Sequence, residues 1–368
     1  MTIKHAKLSP SSSARWLACT GSVKAEQGYK NYSNKAASDG TAQHEVADLC
    51  LKSCGDAEYF IGKTIEGVLI TDDMADTVQK YLDYVRAFEN EHTELSAEQR
   101  VDFSHLVQGG FGTLDAAVID YDKRVCNIFD LKTGRIFVDA ANNTQGQLYA
   151  LGLLNELEFL DVVDTFVIHI VQPPSSNYSS WEISVDDLKV FGQYVEQQAK
   201  IALSDNAPRT PSETACMWCK ASADCPALFE HTQAVIGADF NDLDADVLSQ
   251  EQKRLVLDNK VLIERFIQAI QDDVERTLLD GGKFDGYKLV EGRSNRKYTD
   301  TAESYLTDKL GDDAYKKTLI SLTAAEKLVD RDELSEHLYK PQGKPKVVPS
   351  SAKGIPLVDI TDCFDKIS

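Results

Sequence analysis

Three cysteines near residue 220 constrain the fold more than any other feature of the sequence. They follow the pattern Cys216-x2-Cys219-x5-Cys225, with a proline directly after the last cysteine, and this spacing is typical of metal ligands. Three thiolates need a fourth partner, and Cys19, at the end of a predicted helix, is our candidate. Because Cys19 lies almost two hundred residues upstream, a shared metal site requires both ends of the intervening segment to meet.

The kind of metal is open at this point, because zinc and iron–sulfur clusters both accept four cysteines. In a zinc site, the fourth ligand is either Cys19 or His231. In a reducing compartment we expect no disulfides. We therefore interpret the other four of the eight cysteines as structural residues: Cys50, Cys54, Cys126 and Cys363.

The composition bounds the class of protein. The 368 residues suffice for one large domain or two medium ones, and 42% of them are hydrophobic, which supports a sizeable core. No run approaches the roughly 18 apolar residues that span a bilayer, and residues 1–13 lack the apolar region of a signal peptide. We therefore expect a cytoplasmic protein without membrane contact. The net charge of −20 argues against bulk coating of nucleic acid, although a local basic groove can act within an acidic surface.

The order of predicted elements indicates an α/β or α+β fold with a central mixed sheet flanked by helices. The predicted helices cover residues 9–19, 41–51, 75–91, 143–156, 186–203 and 250–279. The predicted strands cover residues 112–119, 125–132, 165–171 and 181–185, and the first two form a hairpin. From this order we expect a core domain at residues 1–234 and a mostly helical C-terminal region at residues 235–368.

Asp130 and Lys132 are the strongest candidates for a catalytic pair. In a strand, residues i and i+2 share a face, so the two side chains project together. Asp115 lies on the preceding strand of the same hairpin and can converge on the same metal ion. Carboxylates supply the hard oxygen ligands that Mg²⁺ or Mn²⁺ prefers. A metal-activated water beside a lysine cation meets the needs of phosphodiester hydrolysis.

Three further residues fit such a site. His44, in the pattern Gly40-x-x-x-His44 on the second predicted helix, adds an imidazole, which is a good ligand for Mn²⁺. Gln145 and Tyr149 are four residues apart, so they lie on one face of the helix that follows the hairpin. Such a pair can contact a DNA backbone or orient the lysine. Each of these residues taken alone is more typical of packing or of an exposed surface.

Taken in order, the four motifs resemble the signature of the RecB-like PD-(D/E)XK nucleases. They are G-x-x-x-H at 40–44, G-x-x-D at 112–115, D-x-K at 130–132 and Q-x-x-x-Y at 145–149. The resemblance implies a restriction-endonuclease-like core and a DNA nuclease, with an exonuclease as our leading hypothesis. The roles that it implies are metal binding by His44, Asp115, Asp130 and the carbonyl of Leu131, catalysis by Lys132, and support from Gln145 and Tyr149.

The cysteine pattern is similar to that of the "iron staple" nucleases, which include the AddB-type nuclease domain and the CRISPR-associated adaptation exonuclease. In them one cysteine precedes the G-x-x-x-H helix and three follow the nuclease core, as Cys19 and the C-x2-C-x5-C-P motif do here. The resemblance implies a [4Fe–4S] cluster, in preference to zinc, that clasps the two ends of the nuclease domain.

The chain as a whole also resembles a phage-associated family of unknown function. This implies a nuclease of phage or prophage DNA recombination or replication, acting in the bacterial host cytoplasm. Its expected partners are DNA and a phage recombinase or single-strand-binding protein. Basic segments at residues 292–297 and 340–353 are candidate phosphate contacts, or else solvated loops.

Two alternatives stand beside the exonuclease hypothesis. A catalytically silent DNA-binding or assembly module would keep the cluster for structure, but such a module need not retain both Asp130 and Lys132. A structure-specific endonuclease fits the same motifs. ATP binding is not expected, because the segment Gly62-Lys63-Thr64 lacks the earlier glycine of a P-loop and has Ala57 in its place.

Overall fold

A mixed β-sheet with helices on both faces forms the core of the computed structural model. The structure describes residues 6–30, 35–157, 161–237, 250–290 and 302–310, with Tyr315, Leu334, His337 and Leu338. The strands are β1 (Thr64–Ile65), β2 (Val68–Leu69), β3 (Thr93–Asp102), β4 (Phe111–Asp120), β5 (Val125–Leu131), β6 (Thr165–Gln172) and β7 (Asn177–Ser184). The helices are α1 (Ser13–Ala18), α2 (Ser22–Ala25), α3 (Lys35–Ser53), α4 (Asp72–Arg86), α5 (Thr144–Leu157), α6 (Val185–Ala202), α7 (Glu213–Cys216), α8 (Pro226–Gly237), α9 (Gln250–Asp258), α10 (Lys260–Leu279) and α11 (Ala302–Leu310).

The five-stranded sheet has the order β3-β4-β5-β6-β7. The pair β5–β6 is parallel and the other three pairs are antiparallel. The parallel pair requires a crossover, which α5 provides between β5 and β6. The predicted mixed sheet with flanking helices is thus confirmed, as is the predicted hairpin of β4 and β5.

Two hydrophobic cores lie on opposite faces of this sheet. The first joins the sheet to α1, α5 and α6, and it contains Trp16, Leu148 and Leu188. The second joins the sheet to α3 and α4, and it contains Val46 and Tyr81. The candidate site residues of α3 and α5 therefore approach the sheet from opposite sides.

Strand β3 was absent from the sequence prediction, and the structure gives the physical reason. In a regular strand, Leu95, Ala97 and Val101 would all face the same side of the sheet. In β3, however, Leu95 and Ala97 pack on the second core and Val101 lies in the first. Glu98, between them, has a left-handed backbone with φ of 47°. The regular alternation that identifies a strand from its sequence is interrupted at this residue.

The predicted helix over residues 250–279 is interrupted at Asn259, so that it forms the two helices α9 and α10. The Asn259 side chain donates to the carbonyl of Leu255 at 3.0 Å and pairs with Nε2 of His231 at 3.1 Å. Asparagine side chains compete in this way with regular helical hydrogen bonds. At the other end of the chain, α3 begins at Lys35, six residues before the predicted start.

The chain divides into two compact units, residues 1–282 and residues 283–368. In the first unit, α10 packs through Leu262 and Phe266 against a small cluster that contains Cys19 and Cys216. The second unit contains α11. The boundary expected after residue 234 stays a prediction, and the basic segments at 292–297 and 340–353 lie outside the described residues. None of the described helices is long and apolar enough to cross a bilayer.

A buried histidine in the sheet should make the stability of the fold depend on pH. His169 stacks on Phe129 with ring centroids 4.6 Å apart and bonds to Asn127 and Tyr84 at 3.1 and 3.2 Å. Burial lowers the pKa of His169 from 6.5 to about 4. Since the unfolded chain takes up this proton first, stability should fall as pH drops below the unfolded value.

We expect the His169 contribution to unfolding free energy to fall by about 1 kcal/mol between pH 7 and pH 5.5. Urea unfolding at both pH values measures it in the wild type and in His169→Gln, which keeps a polar amide but does not titrate. The wild type should lose about 1 kcal/mol more than the variant. Equal losses would contradict a neutral His169 in the folded state.

Candidate active site

Asp115 and Asp130 meet where β5 ends alongside β4. The ladder between these strands runs from Asp120–Val125 to Ala116–Phe129, and the next position along it places Asp115 beside Asp130. Oδ2 of Asp115 accepts a hydrogen bond of 2.7 Å from the backbone N–H of Leu131. The two carboxylates therefore occupy one place in the fold, as the hairpin geometry predicts.

His44 reaches the same place from α3. Its Nδ1 lies 3.1 Å from Oδ1 of Asp115. Gly40, one helical turn earlier, lies against the segment after β5, because a Cβ atom there would be 3.1 Å from Oγ1 of Thr133. The motif glycine thus allows the helix to approach the strand end, and this approach sets the position of His44.

Lys132 and Gln145 complete a hydrogen-bonded group around Asp130. Nζ of Lys132 lies 2.7 Å from Oδ2 of Asp130 and donates to Oε1 of Gln145 at 3.1 Å. The amide nitrogen of Gln145 donates to Oδ1 of Asp130 at 2.9 Å and to the hydroxyl of Tyr149 at 3.1 Å. Gln145 therefore contacts Lys132, Asp130 and Tyr149, and it holds the lysine and the carboxylate together.

The charged side chains of this site shift one another's pKa values, because burial strengthens the interactions between them. Burial alone lowers the pKa of His44, but the charge and hydrogen bond of Asp115 outweigh it and raise the value to about 9. Burial likewise lowers the pKa of Lys132, and Asp130 reverses this effect, so the pKa lies above its ordinary value. These shifts favour the cationic forms of His44 and Lys132 beside Asp115 and Asp130.

Glu98 is a functional candidate that the sequence analysis missed. One ligand atom each of His44, Glu98 and Asp115 lies within 4.8 Å of the others. The ladder pairs Ala97 with Ala116 and Gln99 with Leu114, which leaves Glu98 opposite Asp115. Burial, and then the charge of Asp115, raise the pKa of Glu98 to about 7. An uncompensated carboxylate here is costly, and a bound cation would relieve that cost.

The four cysteines of the predicted cluster line one small cavity. Its walls include Cys19, Cys216, Cys219 and Cys225, together with Leu228. Cys19 directly follows α1, Cys216 ends α7, and Cys225 directly precedes α8. The backbone N–H of Thr210 donates to Sγ of Cys19 at 3.2 Å. The structure thus brings together a cysteine near the N-terminus and three cysteines that follow the core.

Polar contacts around the cavity join the same two segments of the chain. The backbone N–H of Gly21 donates to the carbonyl of Pro208 at 2.8 Å, and a Cβ atom at Gly21 would lie only 2.7 Å from that oxygen. Arg15 donates to the carbonyl of Trp218 at 3.0 Å and forms an ion pair of 2.9 Å with Glu26. Only glycine fits the close approach at residue 21, so the local sequence is suited to this junction.

His231, the other candidate for a fourth ligand, pairs with Asn259 at 3.1 Å instead. The choice between zinc and an iron–sulfur cluster at the four cysteines stays a prediction.

A family model described as a protein of unknown function (DUF2800) matches residues 5–354. The chain belongs to the DUF2800 family. The crystal structure of SSO0001 matches at 15% sequence identity with a TM-score of 0.32, over 62% of this chain and 89% of that chain. The family description states no activity, so the resemblance of this DUF2800 member to RecB-like nucleases stays a prediction.

In this DUF2800 chain all the motif residues predicted from sequence lie at the end of β5 or beside it. Leu131 is buried, and its N–H is used by Asp115, while the role of its carbonyl as a ligand stays a prediction. The structural cysteines lie elsewhere: Cys50 and Cys126 are in the two cores and Cys54 is exposed. Cys363 lies outside the described residues.

Proposed function

We propose that this protein is a metal-dependent DNA nuclease that hydrolyses phosphodiester bonds. The observation that carries the proposal is the convergence of His44, Asp115, Asp130 and Lys132 at one strand end, although they are distant in sequence. Loss of nuclease activity in Asp130→Asn, with activity in the wild type, is the test. The resemblance to exonucleases of phage or prophage recombination suggests that cleavage starts from a DNA end.

The donor set of the site fits a hard divalent cation. Carboxylate oxygens from Asp115, Asp130 and Glu98 and the imidazole of His44 would hold Mg²⁺ or Mn²⁺, with the Leu131 carbonyl as a further oxygen ligand. When bound, such an ion polarises the phosphate and lowers the pKa of a water molecule. The gathering of the Glu98 and Asp115 carboxyl groups around the imidazole of His44 supports this assignment. A bound divalent cation would replace the proton on His44, because only a neutral imidazole is a ligand.

Lys132 supplies a fixed positive charge at the reacting phosphate. Its ammonium group remains protonated because Asp130 lies 2.7 Å away, so it donates hydrogen bonds and does not act as a base. In this position it neutralises the charge that develops on the phosphate oxygens during cleavage. Gln145 orients the ammonium through its amide oxygen, and Tyr149 in turn orients Gln145.

Glu98→Gln should weaken Mn²⁺ binding by about 10-fold, because it removes a carboxylate from the ligand group without changing its shape. Calorimetric titration with Mn²⁺ measures this effect. Glu94→Gln is a matched control on the same strand, where the carboxylate accepts a hydrogen bond from the Tyr121 hydroxyl. If both variants bound Mn²⁺ like the wild type, Glu98 would not be a ligand.

We also propose that Cys19, Cys216, Cys219 and Cys225 hold a [4Fe–4S] cluster. The shared cavity supports this proposal, together with the similarity of the cysteine pattern to that of the iron–sulfur nucleases, and zinc is the alternative. These four residues would supply the thiolates, and their place between the N-terminal segment and the segment after the core would make the cluster a clasp. The cysteines lie apart from the carboxylates of β4 and β5, so the role proposed for the cluster is structural.

A further inference from the structure

The loop between β5 and α5 exposes two large apolar side chains just after Lys132. Ile136 is 60% exposed and Phe137 is 64% exposed. We call these two residues the apolar tip. Neighbouring exposed apolar side chains mark a binding surface when other features of the same segment point to a ligand. The apolar tip has no role in the proposed cleavage chemistry at Lys132, so the exposure of Ile136 and Phe137 needs another explanation.

Two buried amides hold the backbone on both sides of the apolar tip. The side-chain nitrogen of Gln172 donates to the carbonyls of Gly134 at 2.8 Å and Ile136 at 2.7 Å, and its oxygen accepts from the N–H of Val138 at 3.3 Å. Asn177 donates to the carbonyl of Val138 at 2.7 Å and to Oε1 of Gln172 at 3.1 Å. Both amides are buried, so the tip is presented to solvent by an ordered backbone.

The apolar tip belongs to the loop that leaves the candidate active site. The loop starts at Lys132, whose N–H donates to the carbonyl of Val171 at 2.9 Å, and Thr133 contacts the helix of His44 at Gly40. Phe137 follows Lys132 by five residues, a span of at most about 17 Å for an extended chain. This corresponds to about five nucleotide steps along one DNA strand at about 3.4 Å each.

The cations of the loop favour a nucleic-acid strand as the occupant. Between β5 and α5 the loop carries Lys132 and Arg135 against one exposed acidic residue, Asp139, in a chain of net charge −20. Arg135 is exposed beside the tip. A cation next to an aromatic ring is the combination that binds phosphate and base of one nucleotide.

We infer that the apolar tip stacks against unpaired nucleobases of the strand whose phosphate occupies the active site. This inference rests on the proposed function and adds a substrate class to it, namely single-stranded DNA or a strand end freed from its complement. Phe137 provides a ring for stacking, and Ile136 packs beside it as apolar side chains do between base steps. A fully paired base leaves no free face for this contact.

The test measures binding of two short single strands of equal length, one ordinary and one abasic. Fluorescence anisotropy with Ca²⁺ in place of Mn²⁺ reports affinity without turnover. The wild type should prefer the ordinary strand by about 10-fold, the order of magnitude of one base–aromatic stack. The variant Ile136→Ala/Phe137→Ala should lose this preference and bind both strands alike, whereas Phe137→Trp should keep it.

Tyr59→Ala is the matched control, because Tyr59 is 73% exposed on the 3-10 helix that follows the C-terminal end of α3. It should bind both strands like the wild type. A double-alanine variant that keeps the preference, or that loses affinity equally for both strands, would overturn the inference. If the wild type cleaves DNA but binds both strands alike, the inference is wrong and the proposed function stands. If the wild type neither binds nor cleaves DNA, the proposed function is wrong as well.

Discussion

Cys19→Ala should lose the metal cluster and much of the stability of the fold in one step. Anaerobically purified wild type should be brown, with absorption near 400 nm and about four irons per chain, as a four-cysteine [4Fe–4S] site requires. The variant should be colourless. Its unfolding free energy should fall on the order of 5 kcal/mol, because the proposed cluster would close a loop of almost two hundred residues.

The size of this effect follows from the place of Cys19 in the fold. Metal binding and folding are coupled when the ligands come from distant parts of the chain. Hydrogen bonds also join the two segments, such as Gly21 to Pro208 at 2.8 Å, but each contributes only about 1 kcal/mol. We therefore expect the junction between the N-terminal segment and the segment after the core to depend mainly on the proposed cluster.

Cys126→Ala is the matched control for Cys19→Ala. Cys126 is a fully buried cysteine on β5, outside the cavity, so its variant loses a similar side chain but no ligand. It should keep its iron and lose only about 1 kcal/mol. Colourless wild type with one zinc per chain would overturn the iron assignment but keep the clasp. A Cys19→Ala protein with full iron and an unshifted melting temperature would overturn the clasp itself.

Asp130→Asn and Lys132→Met should both abolish DNA cleavage, but for different reasons. Asp130→Asn removes a metal ligand, so Mn²⁺ affinity should fall together with turnover, on the order of 1,000-fold for turnover. Lys132→Met removes the cation at the phosphate, and turnover should fall at least about 100-fold. Since Lys132 is not a ligand, its variant should still bind Mn²⁺.

Lys123→Met provides the control for the lysine variant. Lys123 is ion-paired with Asp120 at 2.7 Å, at the opposite end of the same strand pair. This variant should cleave DNA like the wild type. Calorimetric Mn²⁺ titration, thermal melting and end-labelled DNA separate the effects on metal, fold and turnover. Wild-type-like cleavage by either Asp130→Asn or Lys132→Met would contradict the site assignment.

The arrangement at the strand end was predictable because it depends on local periodicity. Residues i and i+2 of a strand share a face, and the hairpin of β4 and β5 places Asp115 near Asp130. Helical spacing likewise placed Gln145 and Tyr149 together, and the structure joins them by a hydrogen bond of 3.1 Å. These relations need only the local conformation of one or two adjacent elements.

The parts that were missed depend on tertiary structure. Glu98 joins His44 and Asp115 only because β3 pairs with β4, and the left-handed backbone of Glu98 disrupts the pattern that would have identified β3. The break at Asn259 arises from its side-chain contacts with Leu255 and His231. A single sequence contains no signal for such contacts between distant residues. The meeting of Cys19 with the three later cysteines was predicted from the rule that three thiolates at a metal site need a fourth ligand.

The most direct test of the central claim is a nuclease assay with purified wild type, Mn²⁺ and end-labelled DNA, with single and double strands in linear and circular form. We predict metal-dependent release of labelled nucleotides from linear DNA, no cleavage of circular DNA, and no activity in Asp130→Asn or in the presence of a chelator. Cleavage of circular DNA would keep the nuclease assignment and contradict the requirement for an end. Intact DNA in every form, with Mn²⁺ bound and the fold intact, would contradict the nuclease assignment itself.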